Sequence, residues 1–162
     1  MNYIELNKIK WGEQMIELDG MRDEVIKLTL QKLLPTGHKD MGDMPILFFR
    51  IRLLDGTWIG NCDLRLGDSV NTEILGHVGY SIHEDYRGHH YAVHACKLMC
   101  DYAKRANMTQ LDITCDIDNY ASIRTCELLG AEKIALIDVP ADFKTYDDTP
   151  CCGQKYKFRI KL

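Results

Sequence analysis

The last eight residues, KYKFRIKL, alternate charged and apolar positions without a break, the period of a strand with one wet and one dry face. LDITCDI (111–117) repeats the pattern, with Leu111, Ile113, Cys115 and Ile117 on one side. ILFFRIRLL (46–54) and TWIGNCDLRL (57–66) flank the turn dipeptide Asp55-Gly56 and so predict a hairpin. GHVGYSI (76–82), after a polar loop, and KIALIDV (133–139) read as two more strands, and an acidic loop separates the latter from the C-terminal one.

Other stretches follow the helical period. Ala92, Ala95, Cys96, Met99 and Ala103 recur at i, i+3, i+4, i+7 and i+11, predicting a helix over 89–104. YASIRTCELLG (120–130) is a shorter helix closed by Gly130. In residues 11–35, Leu18, Met21, Val25, Leu28 and Leu33 stand near helical spacing, with Pro35 as the stop and Gly20 as a break between two helices. TGHKDMGDMP (36–45) then reads as a loop. Strands early and late with helices between them predict a mixed, largely antiparallel sheet covered by helices, in one domain over 1–162.

Composition adds boundaries. Hydrophobic residues make up 46% and charged ones 27%, as in an ordinary globular chain. A net charge of −4 gives no electrostatic reason to expect nucleic acid or an anionic membrane as partner. The N-terminus lacks the apolar run of a signal peptide, and no stretch reaches transmembrane length. Seven cysteines without framework spacing fit reduced thiols, and the expected place is the cytoplasm.

The segment YRGHHYAVHACKLMC (86–100) presents two chemistries. His90 and His94 share a helix face, as do Cys96 and Cys100. Cys96 stands six residues past His90, a rotation of roughly 240°, so one helix cannot turn both pairs to a tetrahedral ion, and no metal is expected. An anion is the other reading. A strand turning sharply through Gly88 into a helix leaves several N–H groups pointing outward at the positive end of the helix dipole.

Thirty residues on, Asn119 follows a strand and Ser122 opens a helix. This pair of elements resembles the GNAT superfamily of N-acetyltransferases. The window Arg87-Gly88-His89-His90-Tyr91-Ala92 is similar to its acyl-CoA loop, Gln/Arg-x-x-Gly-x-Gly/Ala, with His90 in place of the central glycine. Asn119, Ser122, Cys126, Glu127, Leu129 and Gly130 match its downstream motif, and order and spacing agree over roughly 58–137.

The resemblance implies an α/β (mixed α+β) fold: a mostly antiparallel sheet of six to seven strands, helices on both faces, and a splay between parallel strands four and five. It implies acetyl-CoA as acyl donor. The backbone of Tyr80 and Ile82 would pair with pantetheine, and the N–H groups from Gly88 through Val93, beside Arg87, would hold the pyrophosphate. Asn119 and Ser122 would lie along the pantetheine arm, and Asn119 reads equally as a helix cap. The activity implied is acetyl transfer to an amine by direct attack on the thioester; a non-catalytic acyl-CoA-binding module on the same fold is the alternative. For the base, His77 is the first choice, because histidine titrates near neutrality, and Glu73 the second. Cys126 takes the position where many relatives carry an acidic tyrosine. The partner implied is a small-molecule or peptide amine, with a homodimer as the assembly it allows. Loops 36–45 and 138–153, with Asp40, Asp43, Asp142, Asp147 and Asp148, would flank the acceptor and attract a cation.

Overall fold

The computed structural model describes residues 21–34, 44–145 and 148–162, and the backbone of 4–5, 8–11 and 14–17. Three short strands, β1 (Ile4–Glu5), β2 (Lys8–Trp11) and β3 (Gln14–Glu17), form an antiparallel sheet of their own. Then β4 (Ile26–Leu34), β5 (Ile46–Leu53), β6 (Trp58–Arg65) and β7 (Val78–Ile82) pair antiparallel in that order. A further antiparallel sheet has the order β8 (Gln110–Asp116), β10 (Gly153–Lys161), β9 (Glu132–Val139). Helices α1 (Val70–Leu75), α2 (Tyr91–Arg105) and α3 (Tyr120–Leu128) complete a mixed α+β fold. Among the described residues no helix is long and apolar enough to cross a membrane.

The helices expected over 11–35 are not there. β2 and β3 reach into that stretch and β4 fills its end, while Leu18, Gly20 and Pro35 lie outside the described residues. The apolar positions were ambiguous. Ile26, Leu28 and Leu30 also alternate with Lys27, Thr29 and Gln31, and pairing with β5 from Ile26–Leu53 to Leu34–Ile46 selects the period of two. The Asp23 carboxylate receives the Val25 and Ile26 N–H groups, both at 2.8 Å, and turns the chain into the strand. The polar loop expected before β7 contains α1. Ser69 caps it by accepting from Thr72 N–H, while Thr72 Oγ1 accepts from Ser69 N–H.

The core lies between the sheets and α2. Ala95, Cys96, Met99 and Ala103 are fully buried against Phe49, Ile51, Leu64 and Leu111, so the helical stripe faces where its period predicts. Cys96 is a small core hydrophobe, its thiol pushed up by burial. His94, on another side of α2, bonds through Nδ1 to Asp23 at 2.6 Å. Among the described residues, no three histidine, cysteine or acidic side chains group to hold a metal.

The two main sheets join at the start of β7. His77 passes its carbonyl to Arg65 N–H of β6 (2.8 Å) and its N–H to Asp112 O of β8 (2.7 Å). An isolated bridge links Gly76 to Ile113, but no ladder joins β7 to β8 beyond it.

Candidate functional site

Past that junction the C-terminal half of β7 borders an open cavity of about 540 Å³. Tyr80, Ser81 and Ile82 form one wall. Tyr86, Arg87, Gly88, His90, Tyr91 and Ala92, from the turn and the start of α2, form the floor. Asn119, Ala121, Ser122, Arg124 and Thr125 of α3 close the other side.

The β7 wall presents backbone. Antiparallel pairs alternate between bonded and non-bonded positions. Arg65 N–H bonds His77 O and His83 N–H bonds Ile59 O, so bonded pairs fall at every second residue between them. Val78, Tyr80 and Ile82 therefore aim their amides and carbonyls away from β6, toward the edge that borders the cavity. Arg87 Nε donates to Ile82 O at 3.1 Å, tying the turn to the strand end and leaving the Ile82 N–H outward.

The floor presents amides too. A short 3₁₀ turn (Glu84–Tyr86) leads through Gly88, at φ 86°, to His90, at φ 59° and ψ 21°. Both are left-handed, a region that favours glycine and in which histidine is over-represented among other residues. That conformation points successive N–H groups the same way. Among the described residues, the amides of Gly88, His89, His90, Tyr91 and Ala92 have no backbone partner. Val93 differs from expectation: its N–H bonds His90 O at 2.9 Å inside the first turn and is not available. No acidic residue sits in that turn, so nothing offsets the dipole. A Cβ built on Gly88 would meet nothing within 4 Å, so the approach to these amides is open. Five outward amides, an open approach and Arg87 alongside fit a pyrophosphate.

The α3 wall supplies side chains. Asn119 Oδ1 caps the helix by accepting from Ser122 N–H at 3.1 Å, which leaves its amide NH₂ for a ligand. Tyr80 OH and Ser122 Oγ meet at 2.6 Å across the cavity wall, and burial pushes the phenol up, so it keeps its proton.

Of the eleven residues expected to contact acetyl-CoA, nine line this cavity: Tyr80, Ile82, Arg87, Gly88, His90, Tyr91, Ala92, Asn119 and Ser122. His89 and Val93 do not. Ser81, Arg124 and Thr125 line it as well; Thr125 follows Ser122 by three residues, a spacing that signals a shared face.

The three expected catalytic side chains are elsewhere. The His77 ring is buried: Nδ1 accepts from Asp112 N–H at 2.9 Å, and Nε2 therefore carries the hydrogen toward Asp68 Oδ1 at 3.0 Å. Burial pulls its pKa below 6.5 against the pull of Asp68, and with both nitrogens engaged it has no lone pair for a substrate. Glu73 receives Lys157 Nζ. Cys126 is fully buried, its thiol pushed up by the hydrogen bond with Cys115 and by burial, and it packs rather than faces the cavity.

A family model for the acetyltransferase (GNAT) domain matches residues 24–132, from just before β4 to the start of β9. The chain belongs to that family. Similar solved structures include the microcin C7 self-immunity acetyltransferase MccE with acetyl-CoA and AMP, at 16% identity and TM-score 0.55 over 72% of this chain and 61% of that one. The ribosomal-protein-S5-alanine acetyltransferase from Vibrio fischeri is 17% identical, with TM-score 0.56 over 72% and 61%. RimJ from Mycobacterium smegmatis with CoA-disulfide is 18% identical, with TM-score 0.56 over 72% and 53%. At these identities the likeness is one of fold, and this chain spans 53% to 61% of the three structures' lengths. No curated protein sequence matches the chain.

Proposed function

We propose that this protein is an acetyl-CoA-dependent N-acetyltransferase that moves the acetyl group to an amine by direct attack on the thioester. The observation that carries it is the run of unpartnered amides from Gly88 to Ala92 leading into α2, where Gly88, His90, Tyr91 and Ala92 line the cavity that the free edge of β7 borders. The amides of Gly88 to Ala92 hold the pyrophosphate. The outward groups of Tyr80 and Ile82 pair with pantetheine as a neighbouring strand would, and Asn119 and Ser122 hold its other side.

The acceptor nitrogen attacks the thioester carbonyl, and the oxygen takes up charge that the Ile82 N–H is placed to receive. The C–S bond then breaks, the attacking nitrogen gives up a proton to become the amide, and the thiolate leaves and takes one up. Tyr80, protonated and held by Ser122, is the hydroxyl in the cavity that donates a hydrogen bond to that sulfur. An alkylamine, with its usual pKa near 10.4, loses a proton to solvent before attack. Neither His77 nor Glu73 is needed for that step.

Calorimetry with acetyl-CoA and assay of free CoA release with a panel of amines test the reading. At 100 times its dissociation constant the ligand adds about 2.7 kcal/mol of stability. Absence of that shift contradicts the proposal. The burial of His77 and Cys126 favours a second reading, an acyl-CoA-binding module without turnover. It predicts the same shift with no amine-dependent release.

A further inference from the structure

Acetyl transfer to an amine leaves a proton to be taken from the attacking nitrogen. Of the groups expected to receive it or to flank the acceptor, His77 and Glu73 are engaged, Asp148 pairs with Lys144 at 2.9 Å, and Asp142 is solvent-exposed. Asp40, Asp43 and Asp147 lie outside the described residues. Strand β6 holds a further carboxylate, Asp63, opposite Gly79 of β7 and Phe48 of β5. Its side chain is 16% exposed. Arg65 Nη2 lies 2.8 Å from Asp63 Oδ2, yet neither Oδ2 nor Arg65 Nε has an aligned hydrogen-bond partner among the described residues. The pair is a charge contact rather than a two-bond bridge, and an oxygen left so in a buried place asks for a reason. Oδ1 lies over β7: a Cβ built on Gly79 would stand 2.5 Å from it. Glycine leaves that place open, so the carboxylate reaches onto the strand that carries the outward Tyr80 and Ile82 groups.

The carboxylate is also on the face that an acceptor can use. Cys62 and Leu64 of β6 are buried in the core with α2, and Tyr80 OH meets Ser122 of α3, so helices fill that side of the sheet. Asp63, Gly79 and Ser81 alternate with these residues and face the other side, from which an amine reaches a thioester held at the β7 edge. The Ile82 amide adjoins Ser81, so a nitrogen joined to a carbon whose oxygen takes that N–H stands over Ser81. Gly79 and Ser81 are two residues apart, about 6.6 Å, a span that one water closes. Burial raises the Asp63 carboxyl above 3.8 against the pull of Arg65, the direction that suits a base working near neutrality. Phe48 and Gly79, its cross-strand neighbours, do not titrate. Arg50, diagonal to it on β5, is turned onto the Trp58 ring at 4.5 Å, which leaves Arg65 as the charge beside it among the described residues.

We infer that Asp63 is the base that takes the proton the attacking nitrogen gives up, and that Gly79 is the residue that lets it reach. A neutral amine attacks, and once the N–C bond has formed the nitrogen carries a positive charge. One of its protons passes through the water to Asp63 Oδ1 as the C–S bond breaks, the nitrogen becomes the amide, and Asp63 returns the proton to solvent after the product leaves. Arg65 keeps the carboxylate turned over β7 without holding it in two aligned bonds. The inference rests on the transferase reading above.

The test uses ethylamine as acceptor and free CoA as readout, with acetyl-CoA affinity measured calorimetrically on the same preparations. Asp63→Asn keeps the size and removes the base, so kcat/KM at neutral pH falls about a hundredfold or more while acetyl-CoA affinity is unchanged. The ratio of the two proteins' rates cancels the titration of the amine itself. That ratio is constant at high pH and shrinks on acidification, as Asp63 is protonated in the unmodified protein. Gly79→Ala keeps the carboxylate but puts a methyl group where Oδ1 lies, and lowers kcat/KM about tenfold or more with acetyl-CoA affinity again unchanged. An Asp63→Asn rate within about threefold of the unmodified one, a ratio that ignores pH, or a loss of acetyl-CoA affinity that accounts for the lost rate overturns the inference. If Asp63→Asn does not fold, Gly79→Ala decides, and an unchanged rate there overturns it. Acetyl-CoA binding with no ethylamine-dependent release also overturns it and leaves cofactor binding standing. Failure of the unmodified protein to bind acetyl-CoA overturns the transferase reading, and this inference with it.

Discussion

The two ends of β7, a strand of five residues, are built on opposite plans. At its start the titratable groups are held in a network. His77 is held by Asp68 and Asp112, and Asp112, itself 2% exposed, takes Arg159 at 2.7 and 2.8 Å and Lys157 at 3.3 Å. Burial raises the Asp112 carboxyl, but these cations overcome it and hold the group below its usual range. At the far end the side chains make few bonds, and backbone groups are left pointing into a cavity. The lesson is that in this chain ionisable side chains close the fold, whereas unpartnered backbone amides border the cavity.

The contrast breaks most readily at the closed end. Asp112→Ala leaves the buried Lys157 with Glu73 alone and removes both bonds to Arg159, so urea unfolding should show a loss of about 3 kcal/mol. A loss under 1 kcal/mol would mean that the network is ornamental.

At the open end the largest effect is on binding. Gly88→Val forces a β-branched residue to φ 86°, costing at least about 1–2 kcal/mol or a shift of the loop. Space is not the obstacle, since a Cβ there meets nothing. Acetyl-CoA affinity should fall tenfold or more by calorimetry, with urea stability affected less than by Asp112→Ala.

A smaller effect concerns pH. The folded-state pKa of His77 lies below its unfolded value of 6.5, so the folded protein binds fewer protons there than the unfolded chain. The stabilisation is complete above pH 6.5 and is lost as pH falls through the folded pKa. Melting temperature should therefore drop on acidification below pH 6.5, and drop less in His77→Gln, while acetyl-CoA affinity at pH 7 is unchanged in that variant.

The smallest effect is at His90. His90→Gly relieves the left-handed strain at φ 59° but adds unfolded-state entropy of about 0.4–1 kcal/mol, so stability should hardly move. Acetyl-CoA affinity should stay within about twofold. A tenfold loss would assign the imidazole itself to the phosphate.

These outcomes track what could be read in the chain before its structure. The hairpin over 46–66, α2 and β10 were legible because period and turn chemistry agreed at each. β4 was misread because Val25, Leu28 and Leu33 satisfy a helical period while Ile26, Leu28 and Leu30 satisfy a strand, and only pairing with β5 decides. Helix α1 escaped because a six-residue helix has little period, and its capping residue at the third position is Thr72 rather than an acid or amide. The turn residues of the cavity were legible because amide presentation follows from a local strand–Gly–helix pattern, whereas Tyr80, Ile82, Asn119 and Ser122 were implied only by the resemblance to the GNAT superfamily. The catalytic assignment to His77 was not, because its captors are Asp112, 35 positions away, and Asp68, nine away. No local pattern shows that a histidine is already occupied.

The most direct measurement is calorimetric comparison of acetyl-CoA with S-acetylpantetheine, which carries the same thioester and arm but no pyrophosphate. If the amides of Gly88 to Ala92 make the site, acetyl-CoA binds at least about a hundredfold more tightly, two or more charge-assisted hydrogen bonds' worth. Equal affinity for the two would contradict the account.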